Sequence, residues 1–354
     1  MNQINLLRQT LKPLLGWHGA RLNFLALFVV ALLRVKTINL VELATGFRSH
    51  AKSESSYKRL QRFFRHFDVE QDAIAKIVVS LMDIPQPWIL STDRTEWSFG
   101  ATRFNILMLG VVHDGVAYPL LWEMLDKKGN SDSDERMNLL DRFQKTFPDA
   151  QINYICGDRE FVGQEWLTYL LIEPQIRFRL RIRHSDKISD GKHKLRASVI
   201  FAHLLPGQTQ VLSGRRWDWG RSVYVEGLRL DDGELLIVIS SDSPETAIAD
   251  YGKRWGIETL FGLFKTRGFC LESTHFKDAE RLSKLIALIT LALCWAIRTG
   301  EWLHQHHQPI KIKKHGRKAK SVFRYGLDYL RSIFTDLDLK QDEFLFSLQF
   351  LSCT

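Results

Sequence analysis

Residues 88–124 read WILSTDRTEWSFGATRFNILMLGVVHDGVAYPLLWEM and predict the start of a β-sheet. The stretch contains three short apolar runs that are rich in β-branched and aromatic residues, which is typical of strands. The letters HDG at 113–115 supply hairpin turn chemistry between the second and third runs. We therefore expect three consecutive antiparallel strands.

Helix and strand patterns alternate after this stretch. Residues 131–148 predict a helix with an acidic start, 152–161 a buried strand, 163–173 a helix and 175–183 a further strand. The resulting order, β-β-β-α-β-α-β, predicts an α/β fold with a mixed sheet that is covered by helices.

The rest of the sequence divides into segments that differ in their predicted secondary structure. The first 80 residues carry apolar residues at helical spacing, His184 to about Ile239 reads as an all-β insertion, and long helices are predicted at 246–268 and 278–307. The predicted division is a helical DNA-binding region, the first part of a catalytic core, the all-β insertion, a core helix that bears a glutamate, and a helical region with a basic segment. Their ranges are 1–85, 86–183, 184–243, 244–275 and 276–354.

Composition and charge narrow the class of protein. Hydrophobic residues make up 45% of the chain, which excludes a mostly disordered protein. The 49 Lys and Arg residues outnumber the 40 Asp and Glu residues, and the net charge of +9 favours a polyanionic partner. The apolar runs at 22–33 and 285–297 are too short to span a bilayer. The four cysteines lack zinc-ligand spacing, so we expect reduced thiols and a cytoplasmic protein.

A basic amphipathic helix is predicted in the N-terminal region. It carries Lys58, Arg59 and Arg62, and Ser55 or Ser56 is the expected cap. This layout is compatible with a helix-turn-helix whose second helix enters a DNA groove. It is equally compatible with the solvated face of a bundle helix.

Two aspartates follow apolar runs. Asp93 lies in STDRTEW and Asp158 in ICGDREF, and strand ends that share one rim are where α/β sheets place their sites. Carboxylates suit Mg²⁺, which prefers oxygen ligands. Taken singly, either aspartate is more often a turn or cap residue.

A third carboxylate stands in a longer pattern. In DYGKRWGIETLFGLFK, residues Tyr251, Arg254, Glu258 and Lys265 are spaced by three, four and seven, so a continuous helix would place them on one stripe. An acidic residue that binds a metal ion, flanked by cationic residues that bind phosphates, would form a surface suited to a phosphodiester. The spacing alone is explained as well by an i,i+4 ion pair between Arg254 and Glu258.

The pattern Tyr-x2-Arg-x3-Glu-x6-Lys resembles the signature of the cut-and-paste DDE transposases of the insertion-sequence-four family. Four further segments are similar to sequence motifs of that family: YKRLQRFF, DRTEW, GDREF and RWGIE. The acidic residues of the last three occur in the family's order, Asp, Asp and Glu. The resemblance runs from about Thr37 to the helix after Lys265.

The resemblance implies a ribonuclease-H-like core in which three carboxylates hold two Mg²⁺ ions, with Mn²⁺ as a substitute: Asp93, Asp158 and Glu258. It also implies phosphate contacts from Tyr251, Arg254 and Lys265, with Arg159 as a weaker candidate. One departure concerns a base-stacking Trp of well-studied members. The last insertion strand here has none, and Trp217 and Trp219 lie earlier, where a core position is slightly favoured.

The expected function is that of an insertion-sequence transposase. It would cut double-stranded DNA at the element's ends and join the freed 3′-hydroxyl to target DNA. The expected enzyme acts without a membrane, is bacterial, cytoplasmic and nucleoid-associated, and forms a homodimer on paired ends. The alternatives are a ribonuclease-H-like DNA nuclease without strand transfer and a transposase-derived DNA-binding protein without catalysis.

Overall fold

The computed structural model describes residues 3–47, 52–314 and 316–352. The chain forms two compact units, each discontinuous in sequence. Met1–Ile84, Trp97–Arg103 and Phe261–Thr354 form one, here called the helical unit; Pro85–Glu96 and Phe104–Leu260 form the other, the sheet unit. The five-part division expected from the sequence stays a prediction. Cys353 lies outside the described residues.

Before the sheet, the described residues form the helices α1 Gln3–Leu15, α2 Gly19–Val35, α3 Leu40–Gly46, α4 Ser53–His66 and α5 Gln71–Met82. The expected cap of the basic helix is wrong. Helix α4 begins at Ser53, so Ser55 and Ser56 lie in its first turn. Lys52 occupies the capping position without a side-chain cap, and Glu54 in the first turn complements the helix dipole.

The predicted β-β-β-α-β-α-β order is confirmed. The elements are β1 Trp88–Phe99, β2 Thr102–His113, β3 Val116–Met124, α6 Ser133–Thr146, β4 Ile152–Gly157, α7 Gln164–Ile172 and β5 Phe178–Ile182. His113 pairs with Val116 across the β2–β3 turn, whose two residues, Asp114 and Gly115, both have positive φ. This is the two-residue hairpin that the letters HDG predict.

The sheet places its strands in the order β3-β2-β1-β4-β5. β2 and β3 run antiparallel, whereas β4 runs parallel to both β1 and β5. This order, with helical crossovers between the parallel strands, is that of the ribonuclease-H-like fold and agrees with the expected mixed α/β class.

The segment after β5 is mostly strand: β6 Lys187–Ser189, β7 Lys194–Arg196, α8 Ala197–Ile200, β8 Thr209–Val211, β9 Arg216–Asp218, β10 Arg221–Arg229 and β11 Leu235–Ser240. The expectation of an all-β insertion is wrong at one place, because Ala197–Ile200 forms the short helix α8. β11 pairs antiparallel with β5, so these strands continue the same sheet.

The signature segment is not one helix. A 3₁₀ turn at Pro244–Thr246 leads into α9 Ala247–Tyr251, a second 3₁₀ turn at Gly252–Arg254, and α10 Trp255–Phe264. The α-helix is interrupted at Gly252 because glycine has a low helix propensity. Helix α10 ends before Lys265, so the predicted stripe of four residues on one helix is wrong for that lysine.

The C-terminal part is helical: a 3₁₀ turn Leu271–Ser273, α11 Ala279–Trp302, a π-helical turn Leu303–His307, α12 Val322–Thr335, α13 Gln341–Leu348 and a 3₁₀ turn Gln349–Leu351. α11 and α12 touch backbone to backbone, since a Cβ added at Gly326 would lie 1.8 Å from the Ala296 carbonyl oxygen.

One helical stretch among the described residues, Ala279–His307, is long and apolar enough to cross a membrane by length and composition. This helical stretch is longer than the apolar run at 285–297 that the sequence analysis considered. Of its most apolar 18-residue window, 89% is buried inside the protein. A helix that is apolar all round requires such burial when it forms a core. α1 and α2 would pass the same test only as one span, and they are bent by 116°.

Asp218 is a buried carboxyl in the β9–β10 hairpin. Its Oδ2 atom has no hydrogen-bond partner among the described residues, and burial, followed by the charge of Asp186, raises its pKa to about 8. The folded state therefore holds a proton that the unfolded chain releases. This carboxyl's contribution to stability falls as the pH rises from about 4 to about 8.

Asp218→Asn is accordingly expected to stabilise the protein more at pH 9 than at pH 5. The difference should be at least about 1.4 kcal/mol, the value of one pKa unit. Urea unfolding at the two pH values measures it, with the exposed Asp231→Asn as the matched control. An equal effect of Asp218→Asn at both pH values would contradict the assignment.

Candidate active site

Asp93 and Asp158 lie on neighbouring parallel strands of the sheet unit. The β1–β4 ladder pairs Ser91 with Cys156 and Thr92 with Gly157, so each aspartate directly follows the last paired residue of its strand. Asp158 follows the end of β4, as predicted. Asp93 does not end a strand, because β1 continues to Phe99. The shared register, rather than a shared strand end, brings the two carboxylates together.

Two glycines allow close approaches around these carboxylates. A Cβ at Gly157 would lie 2.7 Å from the Cβ of Phe161, which follows the turn begun by Asp158. A Cβ at Gly256 would lie 3.0 Å from the Ala117 backbone nitrogen. The lack of a side chain at Gly256 therefore lets the start of α10, which carries Glu258, pack directly on the β2–β3 hairpin.

Arg254 lies among the three carboxylates. Its Nη1 atom donates to Asp93 Oδ2 at 2.9 Å, and its Nη2 atom donates to Glu258 Oε1. Its side chain is only 8% exposed, compared with 17% for Asp93 and 35% for Glu258. The i,i+4 ion pair that the spacing allows is thus present, but it is half of a two-carboxylate bridge.

The surroundings of this arginine shift several pKa values. Burial opposes the charge of Arg254, but Tyr251, Asp93, Asp158 and Glu258 together raise its pKa above the ordinary value. Burial raises the pKa of Asp93 to about 6, against the opposing effect of Arg254. The charge of Asp158 contributes to the same rise. All three carboxylates are therefore close enough to act on one buried cation.

Tyr251 binds the second aspartate. Its hydroxyl donates to Asp158 Oδ1 at 3.3 Å, and its ring lies 5.4 Å from the Arg254 guanidinium carbon. Burial raises the pKa of this phenol, which therefore stays protonated and remains a donor.

A buried ion pair anchors the helix that carries Tyr251. Arg179 on β5 donates to Asp250 Oδ2 at 3.2 Å and to Asp242 Oδ1 at 2.8 Å. The Tyr154 hydroxyl donates to the other oxygen of Asp250. These contacts fix α9 against β4 and β5, and Tyr251 is the residue after Asp250.

Of the other residues predicted to bind DNA, Arg159 lies beside Asp158 and the rest belong to the helical unit. Arg159 is half-exposed, with its Nε atom 3.9 Å from Asp158 Oδ1. Lys265 belongs to the helical unit, where its ammonium pairs with Glu272 at 3.0 Å and lies over the Trp97 ring. Lys58 and Arg62 are exposed on α4. Arg59 is half-buried over the Phe24 ring, and burial lowers its pKa.

The donor chemistry around Arg254 fits a hard divalent cation. The three carboxylates offer only oxygen ligands, which Mg²⁺ and Mn²⁺ prefer, and they already surround a positive charge. In the arrangement described, no three Asp, Glu, His or Cys side chains of residues 3–47, 52–314 and 316–352 group closely enough to hold an ion. An ion held by these carboxylates would compete with the Arg254 guanidinium for Asp93 and Glu258.

Sequence reasoning missed two neighbours of the aspartates. Arg94 follows Asp93, and Glu160 lies two residues after Asp158; the Arg94 Nε atom lies 3.3 Å from both carboxylate oxygens of Glu160. The opposite charges of Arg94 in DRTEW and Glu160 in GDREF were the one indication of this ion pair in the sequence. Because the two residues are 66 positions apart, no helical or strand periodicity relates them.

The two tryptophans of the insertion differ in exposure. Trp217 on β9 is 53% exposed, and Trp219 is partly buried in the β9–β10 turn. The slight preference for a core position is wrong for Trp217, because its side chain points away from the buried Asp218 that follows it on the strand.

Comparison with known proteins gives a family match over the whole sheet unit and part of the helical unit. The family model described as transposase DDE domain matches residues 85–295, well over half of the chain. Among solved structures, the chain is similar to a piggyBac transposase synaptic complex with hairpin DNA, determined by cryo-EM. That match has 12% identity and a TM-score of 0.48, and it covers 93% of this chain and 75% of the other. No functionally curated protein matches the sequence.

Proposed function

This chain belongs to the transposase DDE domain family, and we propose that it is a cut-and-paste transposase of the insertion-sequence-four type. It would cut double-stranded DNA at the ends of its element and join the freed 3′-hydroxyl to target DNA. The main support for the proposal is the cluster of the three carboxylates: Arg254 donates to Asp93 and Glu258, and the neighbouring Tyr251 donates to Asp158.

The three carboxylates would hold two Mg²⁺ ions, or Mn²⁺ in their place. Bound in this way, the ions would supply the charge that activates an attacking oxygen and stabilises a leaving one. Asp93 and Asp158 are suited to this role because adjacent parallel strands fix their backbones side by side. Glu258 approaches from α10, a helix that packs on the β2–β3 hairpin of the same unit.

Arg254 and Tyr251 would each contact a phosphate of the DNA backbone, and Tyr251 would also orient Asp158. With cations on the carboxylates, the Arg254 guanidinium would lose its carboxylate partners, and its planar fork would be available to a phosphate, which Arg binds in bidentate geometry. Tyr251 keeps its proton and orients Asp158 through the hydrogen bond that it donates. Arg159, Lys265 and the basic face of α4 with Lys58, Arg59 and Arg62 are proposed to contact further phosphates or bases.

The proposed setting is a bacterial nucleoid in the cytoplasm. Paired element ends would be held by two copies of the chain, so that each copy cuts one end. The net charge of +9 supports a polyanionic partner through electrostatic attraction.

A strand-joining assay tests the proposal. Purified protein is incubated with Mg²⁺, a supercoiled plasmid and a labelled duplex made from the DNA on either side of the gene, where the proposed function places inverted repeats. A transposase is expected to give labelled plasmid, and a nuclease would give nicked or shortened duplex alone. Retarded duplex without either product would support the non-catalytic DNA-binding protein and contradict the proposal.

A further inference from the structure

Strand β1, which carries Asp93, and the loop after β4, which carries Asp158, are joined by a second polar cluster. It consists of Arg94, Glu160, Asn105, Asn130 and Ser131 and is here called the clasp. Arg94 follows the first aspartate, and its guanidinium contacts Glu160, Asn105 and Asn130 of this cluster. Glu160 follows the second aspartate by two residues. The ion pair between them crosses from the β1 chain to the β4 loop.

Every arm of the Arg94 guanidinium is held. The Nε atom lies 3.3 Å from each oxygen of Glu160, Nη1 donates to Asn105 Oδ1 at 2.9 Å and to Glu96 Oε2 at 3.1 Å, and Nη2 donates to Asn130 Oδ1 at 3.4 Å. Ser131 also donates to Glu160. The side chains of Arg94 and Glu160 are only 13% and 15% exposed, so neither is a solvated surface charge.

The clasp is itself fixed to the sheet. Asn105 on β2 is buried, and its amide donates to the carbonyl oxygens of Lys127 and Gly129, both at 3.0 Å. Arg136 on α6 donates to Ser131. The Arg94 backbone N–H donates to Asp93 Oδ1 at 2.7 Å, so the residue that forms the clasp also touches the first carboxylate.

The clasp connects the β1 and β4 segments at a point where their backbone pairing has ended. Backbone pairing between β1 and β4 ends at Thr92 and Gly157, one residue before the two aspartates. Beyond that point, the Arg94–Glu160 ion pair links the segment after Thr92 to the loop after Gly157. A buried ion pair adds little net stability because desolvation offsets its attraction, but it does select one geometry.

We propose that Arg94 and Glu160 are positioning residues that set the separation and orientation of Asp93 and Asp158 for divalent cation binding. This inference rests on the proposed function, because it concerns the same carboxylates. It assigns no contact with DNA or cation to either residue. Groups behind metal ligands in this way commonly change metal affinity 10–100-fold when removed.

The test is the double variant Arg94→Met/Glu160→Gln, whose net charge equals that of the wild type. If the clasp acted only through its charges, Mn²⁺ affinity would be unchanged in the double variant and tighter in Arg94→Met alone. Positioning instead predicts affinity about 10–100-fold weaker in both, as measured by calorimetric titration of the DNA-free protein. The matched control is the exposed pair variant Arg324→Met/Asp328→Asn, which should bind Mn²⁺ like the wild type.

Two further measurements keep the outcomes distinct. Circular dichroism and metal-free DNA affinity report whether the double variant folds; if it does not, Arg94→Lys, which reaches Glu160 but not Asn105 at the same time, should show an intermediate loss. Wild-type Mn²⁺ affinity in the clasp variants, with binding lost in Asp93→Ala, would overturn the clasp alone. Mn²⁺ binding that Asp93→Ala leaves unchanged would overturn the clasp and the proposed catalytic site together.

Discussion

Replacement of Asp93, Asp158 or Glu258 by alanine is expected to reduce DNA cleavage at least about 1,000-fold, which corresponds to about 4 kcal/mol of activation free energy. Each change removes an oxygen ligand from a set that has few to spare, so the stabilisation of the attacking and leaving oxygens is lost. Cleavage of a duplex that carries the element's end, measured in Mg²⁺ under single-turnover conditions, gives the rate.

Binding and folding should survive these changes. Affinity for the same duplex without Mg²⁺ should stay within about fivefold, because the carboxylates repel rather than attract phosphates. Glu245→Ala, an exposed acid just before α9, is the matched control and should cleave normally. A single Ala variant among the three that cleaves near the wild-type rate would remove that residue from the ligand set.

Arg254→Lys and Arg254→Ala form the second large prediction. Lysine keeps the charge beside Asp93 and Glu258 but lacks the planar fork, so it holds one partner at a time. We expect strand joining to fall about 100-fold in Arg254→Ala, because a scissile phosphate misplaced by about 1 Å loses on this order of rate, and by a smaller factor in Arg254→Lys. Lys253→Ala, an exposed cation one residue away, is the control and should stay within about fivefold.

The alternative is that Arg254 serves only as an ion-pair partner for Glu258. Arg254→Lys separates the two cases, since it preserves the pair and removes the bidentate contact. Wild-type joining rates in both Arg254 variants would contradict the phosphate role. Calorimetric titration with Mn²⁺ adds a second readout: affinity should not weaken in Arg254→Ala, because the competing cation has been removed.

Local patterns predicted the parts of the fold that depend on local chemistry. The apolar runs of 88–124 and the Asp114–Gly115 turn specify a hairpin through side-chain alternation and backbone φ, both of which are readable from adjacent residues. Because Asp93 and Asp158 each follow an apolar run that predicts a strand, the sequence also suggested that both lie at one edge of the sheet. The pairing of Thr92 with Gly157 explains why that inference holds even though β1 continues past Asp93.

The failures have a common physical origin. The continuous stripe required an unbroken helix, but a 3₁₀ turn follows Gly252 and α10 ends at Phe264. The bridge from Arg254 to Asp93 spans 161 positions, and the Arg94–Glu160 pair spans 66. Contacts of this range depend on strand order and register, which periodicity within one segment does not encode.

The half-buried position of Arg59 has the same origin. A helical projection places this arginine on the basic face of α4, and only the packing of α2 against α4 brings Phe24 beneath it. Its role in reading DNA stays a prediction, alongside those of Lys58 and Arg62.

The central claim is that these carboxylates bind the catalytic cations, and thiol substitution tests it most directly. Cysteine is similar in size to aspartate, but its softer thiolate binds Mg²⁺ poorly and tolerates Mn²⁺ better. For Asp158→Cys we predict cleavage that is lost in Mg²⁺ and recovers at least about tenfold in Mn²⁺, while Asp158→Ala stays inactive in both. Equal activity of Asp158→Cys in the two metals, whether high or absent, would contradict the claim that Asp158 is a ligand.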